Sequence, residues 1–142
     1  MRYFLIGLEQ NTWLQNLNEY WEEFNKISNK LPKRLVNKFS SKHLHDSEIE
    51  CITYVRDYSK TKISYNVIVK IRNEKFSGSF THYGVTEYWI KMANFDKYIS
   101  LSEYLYGEIL NNQDSWTHNF IFNESNEVFI RCKKIDWNDD SD

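Results

Sequence analysis

The string His43-Leu44-His45-Asp46 holds the side chains with the clearest capacity for chemistry in this sequence. Two histidines at positions i and i+2 point to the same side of an extended chain, so both could reach one metal ion. Asp46 or Glu48 could complete the site, and His82 or His118 could approach from another strand. However, no Cys pair, His-x-x-x-His pair or carboxylate pair at a characteristic spacing accompanies the string. We therefore predict no metal and no cofactor, and interpret His45 and Asp46 as hydrogen-bonding residues at a helix-to-strand junction.

The patterns that serve nucleophilic catalysis or phosphate binding are also missing from the sequence. There is no Gly-x-Ser-x-Gly motif, and the four glycines never cluster into a phosphate-binding loop. The two cysteines, Cys51 and Cys132, lie in apolar, strand-like runs, and two cysteines do not make a disulfide framework. We expect both to be reduced core residues and the protein not to be an enzyme.

The charges are unevenly distributed along the chain, which bears on its partners. The net charge is −2, but residues 26–42 hold six bases and no acid, so that twelve bases and twenty acids remain elsewhere, a balance of −8. A basic stretch can bind nucleic-acid phosphates. A nucleic-acid-binding domain is usually basic as a whole, whereas this one is acidic. We therefore interpret the stretch as a solvated helix face and expect no nucleic-acid partner.

The elements that position these residues are predicted from the hydrophobic period. Apolar residues spaced by three and four predict a helix over 12–27, and Pro32 suits the first turn of a second, short helix. After Asp46 the period changes to two, as in half-buried strands. Helical spacing returns over 101–110, where Ser100 and Glu103 fit a capping box. The predicted strands are 49–55, 63–71, 76–83, 85–92, 116–122 and 128–135.

This order of elements predicts one α+β domain over residues 1–137, followed by an acidic C-terminal tail over 138–142. We expect an antiparallel β-sheet of five to seven strands, with N-terminal helices and one later helix packed on one face. The first apolar run is too short for a signal peptide, and no stretch reaches the length of a membrane span. We therefore expect a cytoplasmic protein with no membrane partner.

An aromatic segment around Gly84 is the predicted partner-binding region. Its residues alternate between two faces, and the face turned away from the core would expose Tyr, Trp or His, which are enriched in protein interfaces. Acidic residues near the end of the chain would add charge to such a surface. The predicted partner-binding residues are Tyr88, Trp89, His82, Glu87, Asp136, Asp139 and Asp140.

Residues 13–52 resemble a group of small bacterial domains of unassigned function, the DUF4085 type. Those domains combine a helix bearing Tyr-Trp, a Leu-Pro segment and a Leu-His-Asp before the first strand. The corresponding residues here are Tyr20-Trp21, Leu31-Pro32 and Leu44-His45-Asp46. The strand over 127–135 is similar to the closing strand of that group, although bases replace its alternating acids. The resemblance implies an α+β fold and assigns no chemistry.

Small, acidic, aromatic-rich domains also resemble the immunity proteins of bacterial toxin systems. This resemblance implies a non-enzymatic cytosolic protein that binds and neutralises a protein toxin. A basic nuclease toxin is the implied partner, because an acidic inhibitor would be steered onto it quickly. Two other interpretations stay open. One is a small-ligand or metal-dependent domain centred on His43, His45 and His82, and the other is an accessory structural protein.

Overall fold

The computed structural model describes residues 2–3, 9–41, 44–92, 103–123 and 126–140. Helix α1 spans Gln10–Ile27 and helix α2 spans Lys33–Phe39, with a 3-10 turn at Ser28–Lys30 between them. Both lie where helices were predicted, and α2 begins directly after Pro32. The strands are β1 (Ser47–Arg56), β2 (Tyr65–Arg72), β3 (Ser77–Tyr83), β4 (Glu87–Lys91), β5 (Glu103–Asn112), β6 (Ser115–Phe122), β7 (Asn126–Cys132) and β8 (Lys134–Asp139).

The strands form one antiparallel sheet in the order β4-β7-β6-β5-β1-β2-β3-β8. The α+β class and the antiparallel arrangement are confirmed. The predicted count of five to seven strands is wrong, because the described residues contain eight. One additional strand is β5. The other is β8, since the predicted strand 128–135 divides at Lys133 into β7 and β8.

The predicted helix over 101–110 is also wrong, because residues 103–112 form strand β5. Its apolar residues recur at spacings of four, which is about one helical turn but also two repeats of the strand period, so this spacing does not distinguish the two conformations. Gly107 and the tyrosines Tyr104 and Tyr106 disfavour helix, and pairing with β6 decides the conformation. Accordingly, no described residue after Phe39 is helical, and none of the described helices is long and apolar enough to cross a membrane.

The sheet curls strongly, as the connection between β7 and β8 requires. These strands lie six positions apart in the sheet but are joined by the single residue Lys133. In a flat sheet, six strand spacings would separate them by about 29 Å, whereas the connection spans at most about 7 Å. The Lys133 amide donates to the carbonyl of Tyr83 at 2.9 Å, which draws β7 against the end of β3.

The core lies between the two helices and the buried face of this sheet. On β2 and β3, Val69 is paired with Phe80, and on β6 and β7, Phe120 is paired with Val128; all four are fully buried. Helix α2 contributes Phe39, whose ring lies 6.4 Å from that of Phe80. Helix α1 is fixed to β5, because the Tyr20 hydroxyl accepts from the Ile109 amide at 2.8 Å. These contacts bring both helices onto one sheet.

The two cysteines have different surroundings. Cys132 is buried in the core, as predicted, but Cys51 is exposed, and the prediction for it is wrong. The physical reason is a register shift in β1 between Ile49 and Cys51. Ile49 is buried, and the irregularity turns the following residues away from the core.

Candidate functional site

A chain of three hydrogen-bonded side chains crosses the core. His82 Nδ1 lies 2.9 Å from the carbonyl oxygen of Val67, and His82 Nε2 lies 2.8 Å from His118 Nδ1. His118 Nε2 lies 3.3 Å from the hydroxyl of Tyr104. All three side chains are at most 2% exposed. They lie among aromatic rings, so this is a polar chain inside a largely apolar core.

The carbonyl of Val67 fixes the direction of every hydrogen bond in this chain. A carbonyl only accepts, so His82 Nδ1 carries the proton, and in the neutral ring Nε2 must then accept. His118 therefore donates from Nδ1 and accepts at Nε2. The hydroxyl of Tyr104 must donate to that nitrogen, which leaves the tyrosine oxygen as a hydrogen-bond acceptor for any further contact.

The electrostatic surroundings keep both histidines neutral. Burial lowers the pKa of His82 to about 4, and burial together with the neighbouring His82 lowers the pKa of His118 well below its usual range. Burial likewise raises the pKa of Tyr104. In this state the chain is held together by hydrogen bonds between neutral groups.

Gly107 on β5 makes the room that this chain needs. A Cβ atom at that position would lie 1.8 Å from the Tyr104 hydroxyl oxygen and 3.3 Å from His118 Nε2. Any other residue would therefore displace the tyrosine from the histidine. A glycine therefore stands among bulky residues in β5 because the side chains of Tyr104 and His118 approach the backbone closely at this position.

A cleft opens above Gly107, between α1, the residues after α2, and β5. Its volume is about 420 Å³. Tyr104 and Gly107 both line it, and the Tyr104 hydroxyl lies against Gly107, so one end of the buried chain reaches its floor. Most of the remaining lining is aromatic or apolar. The other lining residues are Trp13, Leu17, Trp21, Phe39, Ser41, Leu44, His45 and Tyr106.

Two polar side chains lie on the wall of the cleft after α2. The Oγ of Ser41 is buried, and among the described residues it has no hydrogen-bond partner. His45 is exposed, with its ring 5.0 Å from that of Tyr106 and its Nδ1 2.9 Å from Asp46 Oδ1. The contact between His45 and Asp46 agrees with the interpretation of these two residues as hydrogen-bonding residues at the helix-to-strand junction. His43 lies outside the described residues, so the prediction of no metal at this string stays a prediction.

A second candidate site lies at the other end of β1, where the exposed Tyr54 clusters with two half-buried tyrosines, Tyr65 and Tyr88. We call Tyr54, Tyr65 and Tyr88 the tyrosine surface. The ring of Tyr54 stacks on that of Tyr65 at 4.8 Å and on that of Tyr88 at 5.8 Å, with interplanar angles of 12° and 17°. The Val85 amide donates to the carbonyl of Tyr65, which holds the start of β4 against β2.

The residues predicted to bind a partner fall into separate regions. Tyr88 belongs to the tyrosine surface, and Trp89 is 39% exposed on the opposite face of β4, where its ring stacks on Phe129 at 5.4 Å. Glu87 is exposed and pairs with Arg131 across β4 and β7. His82 is fully buried in the polar chain, so the prediction that it contacts a partner is wrong for this conformation.

The three predicted aspartates are engaged within the protein. Asp136 is buried and accepts from the guanidinium of Arg34, which lowers the pKa of that carboxyl. Asp139 accepts from Trp137 Nε1 at 2.8 Å, and Asp140 lies 3.6 Å from Lys70 Nζ. The predicted tail therefore begins inside β8, whose last residue is Asp139. Asp136 is thus withdrawn from the surface, whereas the side chains of Asp139 and Asp140 stay exposed beside their partners.

Two residues connect the core to the cleft, His118 and Tyr104, and sequence reasoning missed the second of them. His118 was considered only as a metal ligand arriving from another strand, and its hydrogen bonds to His82 and Tyr104 were not foreseen. Tyr104 was assigned to a helix. The one usable signal was Gly107, since a lone glycine within a strand often marks a close approach of other groups.

Comparison with known proteins adds no family to this description. No protein-family model matches the chain, and no curated protein matches it either.

Proposed function

We propose that this protein is a non-enzymatic binding protein that captures another protein, in the manner of an immunity protein that neutralises a bacterial toxin. One observation carries the proposal. Among the described residues, eight large apolar side chains are exposed, and seven of them lie on the second half of β1, in the β1–β2 connection or on β4 and its next residue. The seven are Tyr54, Val55, Tyr58, Ile63, Trp89, Ile90 and Met92.

The stacking of Tyr54 on Tyr88 brings the end of β1 next to β4, so the exposed side chains on this face support an interaction surface, whereas Trp89 lies on the opposite face of β4. Exposed apolar residues scattered singly are normal, but a cluster of them marks a site of association. Tyrosine and tryptophan suit this role, because their rings bring large contact area at little cost in conformational entropy. The stacking of Tyr54, Tyr65 and Tyr88 holds these rings in place before any partner arrives. A rigid aromatic cluster is the kind of anchor around which an interface is built.

The edge strand β4 supports the same proposal. Within the described part of the chain it pairs with β7 on one side and has no strand on the other. An open edge offers unpaired backbone groups to an extended segment of a partner. Ile90 and Met92, both exposed, border that edge. A partner could therefore add a strand to β4 and cover the neighbouring tyrosine surface at the same time.

The charges near this surface bear on the class of partner. Residues 54–65 contain the bases Arg56, Lys60 and Lys62 and the single acid Asp57. The aspartates expected to attract a basic toxin are paired elsewhere. A partner with a neutral or acidic contact face therefore fits better than a basic nuclease. For the toxin that we propose, the charge of the face that contacts this protein matters, and a basic net charge is not required.

The test uses the products of the genes that flank this one. Each product is expressed in bacteria with and without this protein, and growth is recorded; purified pairs are then measured by surface plasmon resonance. We expect one product to be toxic alone, tolerated together, and bound. A Tyr54→Ala/Tyr88→Ala double variant should weaken binding by about 30-fold or more, since each anchor is worth roughly 1–2 kcal/mol.

The matched control is Leu14→Ala. Leu14 is 45% exposed and Tyr54 is 52% exposed, but Leu14 lies on α1, away from the seven clustered residues. This variant should bind as the unmodified protein does. Circular dichroism melts would show whether each variant is folded. If no flanking product is neutralised or bound, the proposal is wrong; equal losses in the two variants would argue against the surface.

A further inference from the structure

The cleft between α1 and β5 has the dimensions of a small-molecule site. Pockets for such ligands usually measure about 300–1,000 Å³ and combine apolar walls with a few placed polar groups. The volume here is about 420 Å³. Trp13 and Tyr106 meet edge to face at 5.0 Å, and Trp21 meets Phe39 with ring centroids 6.0 Å apart. These rings give the cleft much of its aromatic lining.

The polar groups at the cleft have a defined hydrogen-bonding character. The proton of the Tyr104 hydroxyl is committed to His118, because the Val67 carbonyl dictates the direction of the whole chain. The oxygen of Tyr104 therefore presents a lone pair and no proton. Ser41 Oγ, which has no partner among the described residues, can donate or accept. A ligand that donates a hydrogen bond would be satisfied at this floor, whereas one that only accepts would meet a lone pair.

We propose that this cleft binds a planar aromatic molecule carrying an N–H or O–H donor, with the ring between the aromatic walls and the donor directed at Tyr104. The inference is independent of the proposed protein partner. The cleft is built from α1, the residues after α2 and β5, whereas the tyrosine surface is built from β1, β2 and β4. Either site can therefore fail its test without affecting the other.

The experiment uses indole and benzofuran as probes. Both are planar bicyclic molecules of similar size, but indole has an N–H donor where benzofuran has an oxygen. Benzofuran is the more hydrophobic, so a preference for indole cannot come from burial alone. Each is titrated into the ¹⁵N-labelled full chain and followed by two-dimensional NMR. We expect shifts at Trp13, Trp21, Ser41 and Gly107, and binding of indole about three to ten times tighter.

Two variants separate the walls from the floor. Tyr104→Phe keeps the ring but removes the oxygen, so it should bind both probes and lose the preference for indole. Trp21→Leu removes part of a wall, so it should weaken both probes alike and keep the preference. Because Trp21 is only half-buried, we expect Trp21→Leu to fold. The proposal can therefore still be tested with this variant if Tyr104→Phe does not fold. Thermal melts establish which variants are folded.

Three results would overturn the proposal. The first is the absence of shifts at millimolar probe. The second is shifts that lie away from the cleft. The third is equal binding of indole and benzofuran to the unmodified protein, which would show that no acceptor on the floor selects the ligand. Preference for indole that survives in folded Tyr104→Phe would also contradict the role given to the tyrosine oxygen.

Discussion

Tyr104 lies on β5 and Tyr54 on the neighbouring strand β1, yet the two rings have opposite surroundings. Tyr104 is 2% exposed, its ring lies 5.2 Å from that of Phe120, and its hydroxyl donates a hydrogen bond to His118. Tyr54 is 52% exposed and stacks on two other tyrosines, outside the core. The same residue type thus completes the buried interior in one place and lies on the surface in the other. In this aromatic-rich protein, exposure rather than residue type distinguishes the rings of the core from those proposed to contact a partner.

The largest expected effect comes from emptying the interior. Phe80 is fully buried and contacts the rings of Phe39, Tyr104, His118 and Trp137. We expect Phe80→Ala to lower the free energy of unfolding by about 3–5 kcal/mol, because it removes apolar burial and leaves a cavity. Urea unfolding followed by tryptophan fluorescence measures this. A loss under about 1 kcal/mol would mean that the interior is less tightly packed than described.

The buried histidines predict a pH dependence of stability. Their pKa values are lower in the folded protein than the usual value of about 6.5, since burial lowers the pKa of His82 to about 4. Between these values the unfolded chain binds more protons, so stability is complete above pH 6.5 and falls as the pH falls towards 4. Each histidine should contribute a slope of about 1.4 kcal/mol per pH unit.

Urea titrations at half-unit steps from pH 7.5 to 4.5 would measure this slope. A His118→Phe variant supplies the control, because it keeps a ring in the core and removes one titrating group. Its curve should be flatter than that of the unmodified protein. Identical curves would contradict the assignment of the effect to this chain.

A smaller loss is expected from Tyr104→Phe. The substitution leaves the ring in place, but His118 Nε2 loses the proton that it accepts at 3.3 Å. An unsatisfied buried acceptor costs about 1–3 kcal/mol, and we expect the lower half of that range because the bond is long. Thermal unfolding compared with the unmodified protein measures it. An unchanged or raised melting temperature would show that the hydroxyl is dispensable for folding.

The smallest effect on stability is expected at the exposed end of the molecule. Tyr58 is 82% exposed, with the guanidinium of Arg56 5.0 Å above its ring. We expect Tyr58→Ala to change the free energy of unfolding by less than about 0.5 kcal/mol, as for surface substitutions in general. The same urea titration measures it. A loss as large as that of Phe80→Ala would show that this end belongs to the core, and the contrast between the two regions would disappear.

Local patterns in the sequence predicted most elements but not the shape of the sheet. Periodicity was sufficient for α1 and for β2. In β2 the buried residues Val67, Val69 and Ile71 alternate with residues that are more exposed. It failed at β5, because a spacing of four fits both a helix and a strand, and pairing with β6 decides between them. Strand order depends on contacts between distant residues, such as Phe80 with Trp137, and no local spacing records such a pair.

The candidate sites were predictable to different degrees. Tyr88 and Trp89 were selected because an alternating aromatic strand must expose one face; Trp89 is exposed and Tyr88 is half-buried, and their contact with a partner stays a prediction. The cleft was not predictable, since it is assembled from three separate parts of the chain. His82 was selected for the wrong reason: its chemistry is visible in the sequence, but its burial depends on β2, β3 and β6 coming together.

The single-residue joint at Lys133 has a consequence for how the chain folds. The segment from Asn126 to Asp139 supplies both β7, which gives β4 its partner, and β8, which gives β3 its second neighbour. Strands made early in synthesis must therefore wait for residues made some 40 to 60 positions later. Contacts so distant along the chain slow the search for the native state. On the ribosome, the edges of β3 and β4 stay unpaired until that segment emerges, and this interval is when the chain is most open to aggregation or to a chaperone.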